Sequence, residues 1–225
     1  MKTILVAIDF SNASRNASVY AAELAKISGA KLLLHHAYVV EAGIIDQEKE
    51  GQRSKQRLKD EATLLNKMTG VEINCLITEG TAAKEIIALE KKESLDLVIL
   101  GMKEAEATSK FIFGSVATVI IKETYVPLII VPECAKFKKI DRIAFATDFI
   151  MEKEVPMHEP VKNLLRIFCS KIFILNIVKE NEKIRIDEGT SGKNIEKYFE
   201  NIEHCYYFLQ DNDLIHGMKD FISCN

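Results

Sequence analysis

The sequence lacks a basic surplus, a long apolar run and any paired-cysteine motif, and each absence excludes a class of protein. Lys and Arg number 30 against 33 Asp and Glu, leaving a net charge of -3. Holding nucleic acid by charge requires a basic excess, so nucleic acid is not an expected partner. No apolar stretch approaches the ~20 residues that a spanning helix needs, so no membrane partner is expected. Met1 to Val6 runs directly into a strand-like segment without a leader-type cleavage site, and the expected location is the cytoplasm. The five cysteines, Cys75, Cys134, Cys169, Cys205 and Cys224, are odd in number and never spaced as C-x-x-C. That argues against a disulfide framework or a zinc site and for reduced, mostly packed thiols. A hydrophobic share of 48% excludes a disordered chain. The 225 residues are ample for one core and short for two complete α/β domains.

What is present is an alternation of strand and helix signals. Ile4–Ile8, Lys31–Leu34, Leu97–Leu100 and Leu128–Val131 are continuous apolar runs, the pattern of strands buried on both faces of a parallel sheet. Glu72–Ile77 alternates and suits an edge strand. Between them lie helical periods. Ala17, Tyr20, Ala21, Leu24 and Ala25 form one face, with Ser11, Asn12 or Ser14 to cap its start and Gly29 to end it. Leu58, Ala62, Leu65 and Met68 mark a second helix, whose charged run Lys49–Lys67 reads as a solvated face. A third starts near Thr81 with Ala83, Ile86, Ile87 and Glu90 along one side, and a fourth follows Gly114-Ser115 with Val116, Val119 and Ile120. The order β-α-β-α-β-α-β-α-β implies right-handed crossovers and a doubly wound, five-stranded parallel sheet over residues 1–133.

After a Lys-rich joint the pattern restarts. Asp148-Phe149 repeats Asp9-Phe10 at an offset of 139, and Lys171–Leu175 repeats Lys31–Leu34 at an offset of 140. This is an internal duplication. The second copy, residues 140–225, reaches a strand at Cys205–Leu209 and a helix near Leu214–Phe221 but has no counterpart of the last two strands. A sheet cut after three strands exposes an edge. It is expected to lean on the first half or on another chain, or to be a truncated product.

Open α/β sheets bind ligands at the carboxyl ends of strands where the winding reverses. Asp9-Phe10-Ser11, His35-His36-Ala37-Tyr38 and Gly101-Met102-Lys103-Glu104 close strands one, two and four, and Gly114-Ser115 opens the following helix. A helix N-terminus with exposed N–H groups suits phosphate, and Asp9 suits a ribose hydroxyl. Asp9 equally suits a cap on the first turn. The histidine pair has no carboxylate or thiol at ligand spacing, so no metal site is expected and one of the pair reads as packed or solvated. Met102 reads as packing, and Gly114-Ser115 alone reads also as an ordinary helix start.

Ile4–Ser11, the Gly101 loop, Gly114-Ser115-Val116 and Pro127–Val131 resemble the universal stress protein family in its tandem form. The resemblance implies an adenine nucleotide α hydrolase-like fold. It also implies Asp9 at a ribose, the Ala37 backbone near adenine, and Gly101, Gly114, Ser115 and Val116 along phosphates, with Lys103 beside them. ATP or AMP, with Mg2+, is the implied ligand. Nucleotide-binding members carry G-x2-G-x9-G-S/T; here the loop reads Gly101-x2-Glu104-x9-Gly114-Ser115. Glutamate resists the close backbone approach that glycine permits. Its charge ~4 Å from a phosphate charge costs about 4 kcal/mol at an effective dielectric near 20, which Lys103 or Lys110 would partly offset. The first-copy cleft is therefore expected to be degenerate, and Asp148 has no phosphate loop to serve.

No P-loop, S-G-G-x-D-S loop, H-x-G-H motif, G-x-S-x-G elbow or paired acids of a receiver domain occurs, so catalysis is not the expected role. The expectation is a non-catalytic, cytoplasmic stress-response protein that homo-oligomerises through Val126–Val131. The alternatives are slow ATP hydrolysis, or a pure interaction module with a dead pocket.

Overall fold

The computed structural model describes residues 1–39, 47–103, 115–147, 158–179 and 198–224. These form two units, Met1–Phe137 and Lys138–Asn225. In the first, β1 (Thr3–Ala7), α1 (Asn12–Ser28), β2 (Lys31–Tyr38), α2 (Gln47–Thr69), β3 (Ile73–Glu79), α3 (Ala82–Lys92), β4 (Leu97–Met102), α4 (Ser115–Glu123) and β5 (Leu128–Pro132) alternate along the chain. The strands make one parallel sheet in the order β3-β2-β1-β4-β5. The winding leaves β1 toward β2 on one side and returns through β4 on the other, so the reversal falls between β1 and β4.

Burial explains the order. Ile4, Leu5, Val6, Val98 and Ile99 of the two central strands are fully covered. On one face Leu5, Val98 and Leu100 pack with Ala83, Ile86 and Leu89 of α3 and Ile120 of α4. Each fully buried aliphatic side chain contributes about 1.5–3 kcal/mol. β3 is an edge strand, with Asn74, Cys75 and Glu79 exposed, as its alternation implied. Ser11 caps α1 through a bond from the Ser14 N–H (3.2 Å), and Gly29 ends the helix at φ 69° with its N–H on the Ala25 carbonyl.

β5 is the other edge strand and, apart from Val131, only half-buried, so its continuous apolar run does not mark a strand covered on both faces. Two further expectations require correction. Met68 is 55% exposed, and the buried stripe of α2 is Leu58, Ala62, Leu65 and Thr69 instead. Thr69 is accepted because its hydroxyl donates to the Leu65 carbonyl (2.8 Å). All five cysteines are exposed rather than mostly packed, because they fall on strand edges, a helix end and joints. The joint after β5 belongs in part to the first unit. Asn16 Nδ2 donates to the carbonyls of Pro132 (3.0 Å) and Ala135 (2.8 Å), and the Phe137 ring meets Tyr20 edge-on at 4.9 Å.

The second unit contains β6 (Arg142–Ala146), α5 (His158–Phe168), β7 (Lys171–Val178), β8 (His204–Gln210) and α6 (Leu214–Cys224), with the strands parallel in the order β6-β7-β8. Its registers follow those of the first unit. Arg142 pairs Lys171 where Thr3 pairs Lys31, and Ile172 pairs His204 where Leu32 pairs Ile73. Leu165, Ile172, Ile174 and Phe199 form its core.

The residue closing the first helix differs between the units. Gly29 has φ 69°, whereas at the offset of 140 Cys169 holds φ 52°. A side chain in the left-handed region is strained where glycine is not. Cys169→Gly is therefore expected to raise the unfolding free energy by about 0.5–1 kcal/mol, read as a higher urea midpoint, and Cys169→Val to lower the midpoint. An unchanged midpoint in the glycine variant would contradict strain at this cap.

Candidate functional site

At the carboxyl ends of β1 and β4 the structure holds a cleft of about 300 Å³. Asp9, Ala37, Gly101, Lys103 and Val116, drawn from four separate segments, all line it. Ser115 is the first residue of α4, so that helix N-terminus begins beside the cleft-lining Val116. Gly114, with Glu104 and Lys110, lies outside the described residues, as does Asp148 of the second unit.

Local chemistry fixes Asp9. Phe10 takes φ 62°, a left-handed turn that breaks the chain away from β1 immediately after Asp9. Such strain in a non-glycine residue persists only when neighbours hold it. The Phe10 ring lies 4.6 Å from the His36 ring, and the Arg57 guanidinium sits 3.9 Å over it. Asp9 Oδ1 accepts from the Ser11 N–H (2.9 Å), and the Asp9 N–H donates to Ser14 Oγ (3.3 Å). Burial alone would raise the carboxyl pKa, but bonds from Ser11 and Ser14 and the charge of Lys103 outweigh it and hold it below the ordinary value. Asp9 therefore does cap the first turn, and it stays ionised while lining the cleft.

Gly101 is explained by packing. A Cβ there would lie 2.3 Å from the Ala13 carbonyl oxygen and 2.7 Å from the Ser14 nitrogen. The first turn of α1 is pressed onto β4, and only glycine leaves room for it. The same turn supplies Ser11 and Ser14 to Asp9, so the glycine and the carboxylate belong to one arrangement.

The histidine pair divides between two jobs. His36 Nδ1 lies 2.6 Å from the Ile8 carbonyl and ties β2 to the end of β1. His35 is 1% exposed and lines the cleft. Its Nε2 is 2.9 Å from Thr78 Oγ1 on β3, and its Nδ1 has no partner. The sequence alone read one of the pair as packed or solvated without saying which; the signal that His35 belongs to the cleft is its register opposite Ala7, another lining residue. Met102, expected to pack, is half-buried and lines the cleft too. Among the described residues no group of three or more His, Cys, Asp or Glu side chains could hold a metal ion.

The model of the universal stress protein family matches residues 1–132, more than half of the chain. The chain belongs to the universal stress protein family. A universal stress protein of Methanocaldococcus jannaschii is 27% identical over 149 residues, covering 60% of this chain and 84% of that protein. One from Thermus aquaticus is 28% identical over 134 residues, covering 58% of this chain and 98% of the relative. The fold of a universal stress protein from Archaeoglobus fulgidus superposes with a TM-score of 0.77 at 17% identity, covering 98% of this chain and 84% of that one. As a family member, the first unit carries its cleft at the sheet position where open α/β folds take ligands. No helix among the described residues is long and apolar enough to cross a membrane.

The pH response of the cleft follows from His35. Burial and then the neighbouring His36 push its pKa down to about 4. In the unfolded chain it returns to about 6.5. Between those values the unfolded state binds the extra proton. The stability contributed by the neutral ring is complete above about pH 6.5 and is lost as the pH falls toward 4. The urea midpoint of the wild type is expected to fall across this interval, and His35→Leu to flatten that part of the profile. Identical profiles for the two proteins would contradict a buried, neutral His35.

Proposed function

We propose that the first unit is a non-catalytic receptor for an adenine nucleotide, ATP or AMP, acting in cytoplasmic stress signalling. The observation that carries this reading is the convergence of Asp9, Ala37, Gly101, Lys103 and Val116 on one cleft at the winding reversal. Its volume of about 300 Å³ is at the lower end of ligand pockets. An ionised Asp9 with one oxygen engaged by Ser11 suits receiving a sugar hydroxyl and suits proton abstraction poorly. Lys103, exposed at the cleft, and the N-terminus of α4 at Ser115 suit phosphate, with Mg2+ accompanying a triphosphate. Residues 1–133 are read as one universal stress protein domain and residues 140–225 as a second copy of the same unit.

Calorimetric titration with ATP and with AMP, with and without Mg2+, tests the reading. One site per chain is expected, weakened about tenfold or more by Asp9→Ala, the effect of losing a hydrogen bond to a charged acceptor. Glu104→Gly is expected to tighten ATP more than AMP, because it removes a charge and restores the family glycine. No heat with either nucleotide in wild type and Glu104→Gly alike would overturn the reading in favour of a pure interaction module. Turnover of ATP that Asp9→Ala abolishes would replace it with slow hydrolysis.

The same proposal includes self-association through Val126–Val131. Within the first unit β5 is the outermost strand and pairs with β4, while Val126 and Leu128 pack inward against the core. An outer strand offers unpaired backbone groups to a second copy. Tyr125 beside it is 97% exposed. Light scattering at tens of micromolar is expected to give a dimer mass that falls to the monomer value in Ile130→Pro. A monomer in the wild type would contradict it.

A further inference from the structure

His35 Nδ1 is the one buried side-chain nitrogen or oxygen without a hydrogen-bond partner among the described residues. A buried polar atom left unpaired costs about 1–3 kcal/mol, so it calls for a reason. The fold does not supply one. In the second unit the residue at the offset of 140 is Leu175, equally buried at 1% exposure. It occupies the same place in the sheet: Ala146 pairs Leu175 where Ala7 pairs His35, and the Thr147 N–H donates to the Leu175 carbonyl as the Ile8 N–H donates to that of His35. The neighbouring position makes the contrast sharper. His36 Nδ1 lies 2.6 Å from the Ile8 carbonyl, and its counterpart Asn176 donates from Nδ2 to the Thr147 carbonyl at 2.8 Å. Where the sheet needs a polar atom, both units keep one. At His35 only the unit with the described cleft keeps one, and there His35 is a lining residue of the cleft, as are its register partner Ala7 and Ala37 two residues along the same strand.

We propose that His35 is a binding residue of the cleft, its Nδ1 forming a hydrogen bond to the nucleoside part of an adenosine-like guest. This rests on the nucleotide reading above. A neutral imidazole donates from one nitrogen and accepts at the other. The Thr78 hydroxyl at 2.9 Å from Nε2 takes either complementary role, so Nδ1 can meet an amino group or hydroxyl as an acceptor, or a ring nitrogen as a donor. The contact lies beside two apolar lining residues, Ala7 across the strand pair and Ala37 along β2. It orients the guest there and rejects analogues that leave it unanswered, since discrimination is largest where a site's polar atom would remain buried and unpaired.

AMP and adenosine binding to wild type, His35→Leu and His35→Asn separates the possibilities. Leucine is the residue the same fold accepts at Leu175, and asparagine places a polar atom near the position of Nδ1. His35→Leu is expected to bind AMP and adenosine about tenfold more weakly, in the range of one lost hydrogen bond, with His35→Asn between it and the wild type. Nitrogen-15 spectra of the wild type, which need no variant to fold, are expected to show the Nδ1 resonance of His35 moving on AMP addition while Nε2 moves less. If AMP binds, but His35→Leu matches the wild type and Nδ1 stays still, the His35 contact is overturned and the nucleotide reading survives. If neither AMP nor adenosine binds the wild type, both are overturned.

Discussion

The close approach of the first turn of α1 to β4 organises the functional end of the first unit. The contact exists because Gly101 has no Cβ: any side chain there would press on the Ala13 carbonyl and the Ser14 nitrogen. From that turn Ser11 and Ser14 reach Asp9, and the left-handed Phe10 completes the bend. β1 and β4 are neighbours whose connections leave in opposite directions, so nothing from the sheet fills the space above their ends. Close packing on one face and divergence of the chain beyond it together make a cleft with an ionised carboxylate in its wall. A glycine that the sequence motif associates with phosphate thus has a packing role that exists without any ligand.

Much of this was legible in the residues. Continuous apolar runs located β1, β2 and β4, the alternating run located the β3 edge, and Gly29 and Ser11 bounded the first helix, because each is a local consequence of chain geometry; the continuous run of β5 falls instead on the other edge, where only Val131 is buried. The residues that reached the cleft were legible only through the carboxyl-end rule and the family motif. Other features depend on non-local facts. Met68 and Thr69 both continue the stripe of α2, and which one is buried is decided by Thr69 satisfying its hydroxyl on its own helix. The exposure of Cys75 and Cys205 follows from strand order, which composition does not contain. His35 and His36 are adjacent and chemically identical in the sequence; the pleat sends one to the cleft and the other to the Ile8 carbonyl.

The two units show which features the sheet itself demands. They share register, the hydrogen bond from the second strand to the end of the first, and a left-handed residue after the first helix. They differ where no backbone need exists, as at His35 and Leu175. A shared plan filled with different chemistry separates the demands of folding from those of a ligand without recourse to other proteins. Fold-level kinship alone would not do so, since a fold hosts many functions.

The central claim is that an adenine nucleotide occupies the cleft between the ends of β1 and β4. Photolabelling with an azido-substituted AMP, followed by peptide mapping, tests it most directly. Label is expected on peptides containing Asp9, Ala37 or Val116, and to be displaced by unlabelled AMP. Displaceable label confined to peptides of the second unit, or to α2 and β3, would contradict it.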